Sequence, residues 1–79
     1  MTKSVFSRRY NLLLSTLISL REKKELSQRQ LAKRLKKPQS FVSKYERGER
    51  RLDVIELLEI TNALEADPHQ IIDELTLKS

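Results

Sequence analysis

The chain has 79 residues, no cysteine, no tryptophan, one glycine and one histidine. That length fits one domain with a small core, since a chain of this size buries only about 60% of its unfolded surface. Little room remains for a deep catalytic pocket. The lack of cysteine excludes disulfides and thiolate metal sites. His69 alone cannot build a histidine cluster, so no metal or other cofactor is expected. The longest near-apolar run, Leu12 to Leu20, is broken by Ser15, Thr16 and Ser19 and falls short of the roughly 20 residues of a membrane span. The N-terminus lacks a signal-peptide layout, and a cytoplasmic protein is expected.

Sixteen Lys and Arg against eleven acids give a net charge of +5. Residues 1–20 contribute +3, from Lys3, Arg8 and Arg9. Residues 21–51 hold twelve Lys/Arg and four acids, giving +8. Residues 52–79 hold Lys78 against seven acids, giving −6. A basic middle and an acidic end imply one face for a polyanion and another turned elsewhere. Charge alone also fits an ordinary solvated surface.

No alternating strand pattern occurs, while helical spacing and cap signals recur, so the fold class is all-α with five helices. The first helix is predicted over Arg8–Lys24, with Tyr10, Leu13, Leu14, Leu17 and Leu20 on one stripe. Leu12 and Ile18 lie off that stripe. The second starts at a capping box, Ser27 with Gln30, and a staple of Leu26 on Leu31. Leu31, Ala32 and Leu35 face inward, and Pro38 keeps the helix short. The third starts at or beside Pro38, buries Val42 and Tyr45, and ends at Gly48 in a left-handed cap. Phe41 packs on the second helix or touches a base methyl. Tyr45 is expected in the core with its hydroxyl at the edge. The fourth repeats the box with Asp53 and Glu56, and Leu57, Ile60, Thr61 and Leu64 form its buried stripe. The fifth has Asp67 as cap, Pro68 first and Gln70 third, with Ile71, Ile72 and Leu75 as its apolar contact and His69 exposed.

Two short helices joined by a tight turn form a helix-turn-helix, here over about 27–47. The second of the pair enters the major groove and offers its N-terminal residues to base edges. Those residues are Gln39, Ser40, Ser43 and Lys44, which share an outward face. Gln suits adenine, Lys suits guanine, and Ser serves several bases. Arg29, Lys33, Lys36, Lys37, Arg47, Arg50 and Arg51 surround them and can meet phosphates.

The stretch from residue 17 to about 72 resembles the Xre/Cro family of helix-turn-helix domains, the group of the lambdoid phage repressors. The most specific parts are LSQRQLA (Leu26 to Ala32) and SFVSKYERGER (Ser40 to Arg50). The resemblance implies a compact five-helix repressor-like domain that binds operator DNA as a dimer and controls transcription. It implies that Gln28 holds a phosphate and braces Gln39. Gln39, Ser40 and Lys44 would be the main base readers, with Ser43 near the groove. Arg47, Arg50 and Arg51 would follow the backbone; Arg29 and Lys37 are assigned to the backbone from their charge and position, not from the resemblance. Arg21 and Glu46 match a partly buried salt bridge. The chain departs from the family where Glu25 and Lys36 replace glycine, a left-handed position that costs about 1 kcal/mol for a non-glycine residue. It departs again at Lys37 and Pro38, so the turn should differ in detail.

Residues 1–79 therefore read as a single DNA-binding domain, with 67–79 a candidate dimerisation helix. Ile71, Ile72, Leu75 and Leu77 exceed what one short helix can bury. Helix five, with the end of helix four, is expected to supply a two-fold contact; Leu12 and Ile18 are the competing surface. The partners expected are double-stranded DNA and a second copy of the chain, with no membrane. The alternative is an antitoxin or adaptor whose main partner is a toxin or other protein, and a restriction-modification controller is also compatible. An enzyme is not expected. Glu22/Glu25 and Glu56/Glu59 are carboxylate pairs at helical spacing, but no nucleophile–base set, phosphate loop or metal-ligand set accompanies them.

Overall fold

Five helices follow in order: α1 (Arg8–Lys23), α2 (Gln28–Leu35), α3 (Gln39–Glu46), α4 (Val54–Ala63) and α5 (Pro68–Leu77). The computed structural model describes residues 7–77, with side chains to residue 76. Lys3, Lys78 and the side chain of Leu77 lie outside the described residues. Among the described residues there is no strand. No described helix is long and apolar enough to cross a membrane.

Side-chain caps set where the helices start. Ser7 accepts from the Tyr10 amide at 3.1 Å and opens α1. Ser27 Oγ accepts from the Gln30 amide at 3.0 Å, and Gln30 Oε1 accepts from the Ser27 amide at 2.8 Å. Asp53 and Glu56 do the same for α4, at 2.7 and 3.1 Å. Both boxes satisfy donors that the first turn leaves unpaired. Asp67 accepts from the His69 amide at 2.9 Å at the start of α5. Pro38 precedes α3 without a side-chain cap.

One device ends four of the helices. After α1, α2, α3 and α4 the chain turns left-handed, at Glu25 (φ 57°), Lys36 (59°), Gly48 (81°) and Glu65 (57°). Each time the amide of the next residue bonds a carbonyl five positions back: Leu26 to Arg21, Lys37 to Ala32, Glu49 to Lys44 and Ala66 to Thr61. This is the Schellman pattern. Only at Gly48 does the residue type lower its cost.

The core lies where all five helices meet. Leu17, Leu31, Val42, Tyr45 and Ile60 are fully buried, with Tyr10, Leu13, Leu14, Ala32, Phe41, Leu57, Thr61, Leu64 and Ile71 also inside. Leu20, Leu35 and Leu75 are half-buried against it. Burying a Leu, Ile or Val side chain stabilises by about 1.5–3 kcal/mol, so these stripes supply the main attraction. The Tyr10 hydroxyl accepts from the Leu52 amide at 3.0 Å and ties α1 to the connection before α4.

Three expectations are corrected. Ile72 is exposed, because the short α5 turns only Ile71 fully inward and Leu75 partly so. The Tyr45 hydroxyl is not at the edge; it is buried with no hydrogen-bond partner. The surplus apolar surface of α4 is at its start and not its end: Val54, Ile55 and Leu58 are exposed and Leu64 is buried, while Leu12 and Ile18 of α1 are half-buried.

Candidate nucleic-acid interface

α2 and α3 pack directly on each other across the Lys36–Lys37–Pro38 turn. Burial of Phe41, Val42 and Tyr45 fixes the rotation of α3 about its axis. Gln39, Ser40 and Lys44 are consequently exposed, and Ser43 is half-buried. The Ser43 hydroxyl donates to the Ser40 carbonyl at 3.4 Å. The side chains of Gln39, Ser40 and Lys44 have no hydrogen-bond or ion-pair partner among the described residues. α3 thus presents a short row of amide, hydroxyl and ammonium groups to solvent.

A buried polar cluster holds the other end of α3. Arg21 donates from Nε to Glu46 Oε2 at 2.8 Å and from Nη2 to Oε1 at 3.1 Å. Its Nη1 donates to the Leu26 carbonyl at 2.8 Å. Gln28 Nε2 donates to Glu46 Oε1 at 2.9 Å. The side chains of Arg21 and Glu46 are 12% and 5% exposed. The bond to Glu46 holds the guanidinium pKa above its ordinary value. The cluster joins the ends of α1 and α3 to the first residue of α2. It also redirects Gln28: its amide nitrogen goes to Glu46, and no bond to Gln39 is present.

The cations around this row differ in how free they are. Arg29, Lys33 and Lys36 on or beside α2 are exposed, and Lys37 is half-buried. Arg47 pairs with Glu49 through two bonds of 2.9 and 3.1 Å. Arg50 pairs with Glu56 at 2.9 and 2.8 Å. The Arg51 guanidinium lies 4.3 Å from the centroid of the Tyr10 ring. The bonds from Arg47 and Arg50 hold Glu49 and Glu56 below the ordinary glutamate value, and the Asp53 amide adds to the effect on Glu56. Both carboxylates are therefore ionised at neutral pH and offset part of the arginine charge. The sequence reading missed these pairings. The Glu56 capping box was the available signal, since it places a carboxylate at a known point close to Arg50.

A concavity of about 620 Å³ belongs to another face. It is lined by the second half of α1, the α4–α5 connection and α5, and by no residue of α2 or α3. Among the described residues no group of three His, Asp or Glu side chains could hold a metal ion.

Two short helices at a tight turn, the second with an outward polar row and basic flanks, define a helix-turn-helix protein. The helix-turn-helix family pattern matches residues 17–71. A solved structure of an XRE-family like protein from Pseudomonas syringae pv. tomato str. DC3000 shares 40% identity with this chain. The match covers 100% of this chain and 99% of that one, with a TM-score of 0.89. No curated protein matches. The chain belongs to the XRE family of helix-turn-helix domains, a family of DNA-binding transcription regulators.

Proposed function

We propose that the chain is a sequence-specific, dimeric repressor that binds a duplex site of two related half-sites. One observation carries the reading: Gln39, Ser40 and Lys44 stand in an exposed row without partners, while the polar groups that hold α3 in place are satisfied. Unpaired donors and acceptors on the first turns of a second helix are what major-groove readout requires. Gln39, Ser40, Ser43 and Lys44 take the base-edge role. Gln28, Arg29, Lys37, Arg47, Arg50 and Arg51 take the backbone role. Nothing in this reading calls for catalysis, and a DNA target is in keeping with a cytoplasmic protein.

Size supports the dimer. Half-sites of such proteins lie about 34 Å apart, and the molecule measures 31 × 28 × 21 Å. The long axis is close to that spacing, so two copies on one duplex face would be near neighbours. The exposed apolar residues Val54, Ile55 and Leu58 sit on the first turns of α4, which the chain reaches directly after the arginines that follow α3. With Ile72 of α5 they are the surface we assign to the contact. Selection from a random duplex library tests the function. The expected product is a symmetric motif with half-site centres about 10 bp apart; a library with no enriched symmetric motif overturns the reading. In sedimentation, Ile55→Glu should be monomeric and Ile18→Glu dimeric, and the reverse would move the interface to α1.

A further inference from the structure

Phe41, the third residue of α3, is buried to 9% exposure and carries two cations on its ring. Lys37 Nζ lies 5.2 Å from the ring centroid and the Arg50 guanidinium 5.0 Å. The Tyr45 ring meets Phe41 in an edge contact, with centroids 5.5 Å apart and planes at 65°. A ring face is electron-rich and attracts cations within about 6 Å. Phe41 therefore gathers two charges from segments thirteen residues apart.

The gathered charges border an open concavity of about 410 Å³. Lys36, Lys37, Lys44 and Arg50 line it beside Phe41, and no acid does. The three lysines form no ion pair among the described residues. Arg50 is oriented rather than consumed. Its Nη1 reaches Glu56 at 2.9 Å and the Arg51 carbonyl at 3.3 Å, and its Nη2 reaches Glu56 at 2.8 Å. A guanidinium has five N–H groups, so the Nε–H and one Nη2–H remain for another acceptor. Glu56 offsets part of the Arg50 charge, but the three lysines have no such partner among the described residues; like charges around one hollow repel each other, and a bound anion relieves that cost. Ser40 also lines the hollow, as Lys44 does, and both belong to the row assigned to base edges. The anion that comes with that row is a phosphate of the same duplex.

We propose that this hollow is a phosphate pocket for one backbone phosphodiester beside the bases that α3 reads, with Phe41 as the positioning residue that holds Lys37 and Arg50. The inference rests on the duplex-binding reading and assigns it a particular phosphate. Holding both cations in place before binding reduces the ordering cost of the contact.

The test uses the full chain and its selected duplex, with each phosphate in turn replaced by a neutral methylphosphonate. One position should weaken wild-type binding by about tenfold, an effect the size of one lost charged contact. Lys37→Gln should bind more weakly, show a salt slope lower by about one, and be insensitive to neutralisation at that same position. Phe41→Leu should reproduce this pattern with base preference unchanged, and Phe41→Trp, which keeps a ring face, should restore sensitivity. If Phe41→Leu fails to fold, Lys37→Gln decides. Lys37→Gln that stays as sensitive as wild type at every phosphate overturns the pocket while leaving the duplex reading intact. Wild-type protein that selects no duplex overturns the reading beneath it. Inorganic pyrophosphate, followed by amide shifts of Lys37 and Phe41, separates the two phosphate sources. Saturable binding there, without any coupled duplex phosphate, overturns the backbone assignment in favour of a soluble phosphorylated ligand.

Discussion

Replacing Arg21 by Met keeps much of the side-chain stem and removes every charge-assisted bond the guanidinium makes. Glu46, 5% exposed, would then keep a buried negative charge with Gln28 as its remaining partner. The Leu26 carbonyl would lose its side-chain donor as well. Breaking a buried pair from one side costs about 3–5 kcal/mol. A chain of 79 residues has about 4–12 kcal/mol of stability in total, so Arg21→Met should remove a large part of it. The double variant Arg21→Met with Glu46→Leu should lose less than Arg21→Met alone, because no charge is stranded. Urea unfolding followed by far-ultraviolet circular dichroism measures all three proteins. A loss below about 1 kcal/mol for Arg21→Met, the size of an exposed pair, would refute the argument that this cluster is buried and anchors α3.

Tyr45→Phe removes a buried hydroxyl without a partner and should leave stability unchanged or raise it by up to about 1 kcal/mol; a loss above 1 kcal/mol in the same unfolding assay would reveal a partner for that oxygen. Glu25→Gly relieves a left-handed glutamate that forms no ion pair among the described residues. It should stabilise by roughly 0.5–1 kcal/mol after the added entropy of glycine is subtracted, and a lower melting temperature would contradict this. Glu49, Glu56 and Glu65 are held below the ordinary value of 4.5, mainly by bonds from Arg47, Arg50 and Lys24. The unfolded chain then binds more protons, so their stabilisation is complete well above 4.5 and is lost as the pH falls through that value and below it. Thermal melts across this range should show Glu56→Gln with a shallower acid decline than wild type, and identical declines would remove Glu56 from the account.

Much of the fold was legible because it is written in local rules. Ser27 with Gln30 and Asp53 with Glu56 close as boxes, and the apolar stripes of α1 and α2 face the core. The left-handed ends at Glu25 and Lys36 followed from positions where the family has glycine, whereas the one at Glu65 had no such marker. The face of α4 was legible too: the stripe Leu57, Ile60, Thr61 and Leu64 is buried, and Val54, Ile55 and Leu58, which lie off it, are exposed. The exposure of Gln39, Ser40 and Lys44 was legible from the rotation that Val42 and Tyr45 impose on α3. The grouping of Lys37 and Arg50 on Phe41 was not, because it depends on how the connection after α3 folds back.

The central claim is that the first turns of α3 read bases while the flanking cations hold the backbone. Binding profiles of wild type, Gln39→Ala, Lys44→Ala and Arg47→Ala over every single-base variant of the selected site test it most directly. Gln39→Ala and Lys44→Ala should each lose about 1–3 kcal/mol on the preferred site and relax preference at one position. Arg47→Ala should weaken all variants alike and lower the salt slope by one at most, because Glu49 already offsets part of its charge. Profiles that keep the wild-type preferences at every position in Gln39→Ala and Lys44→Ala would contradict the account.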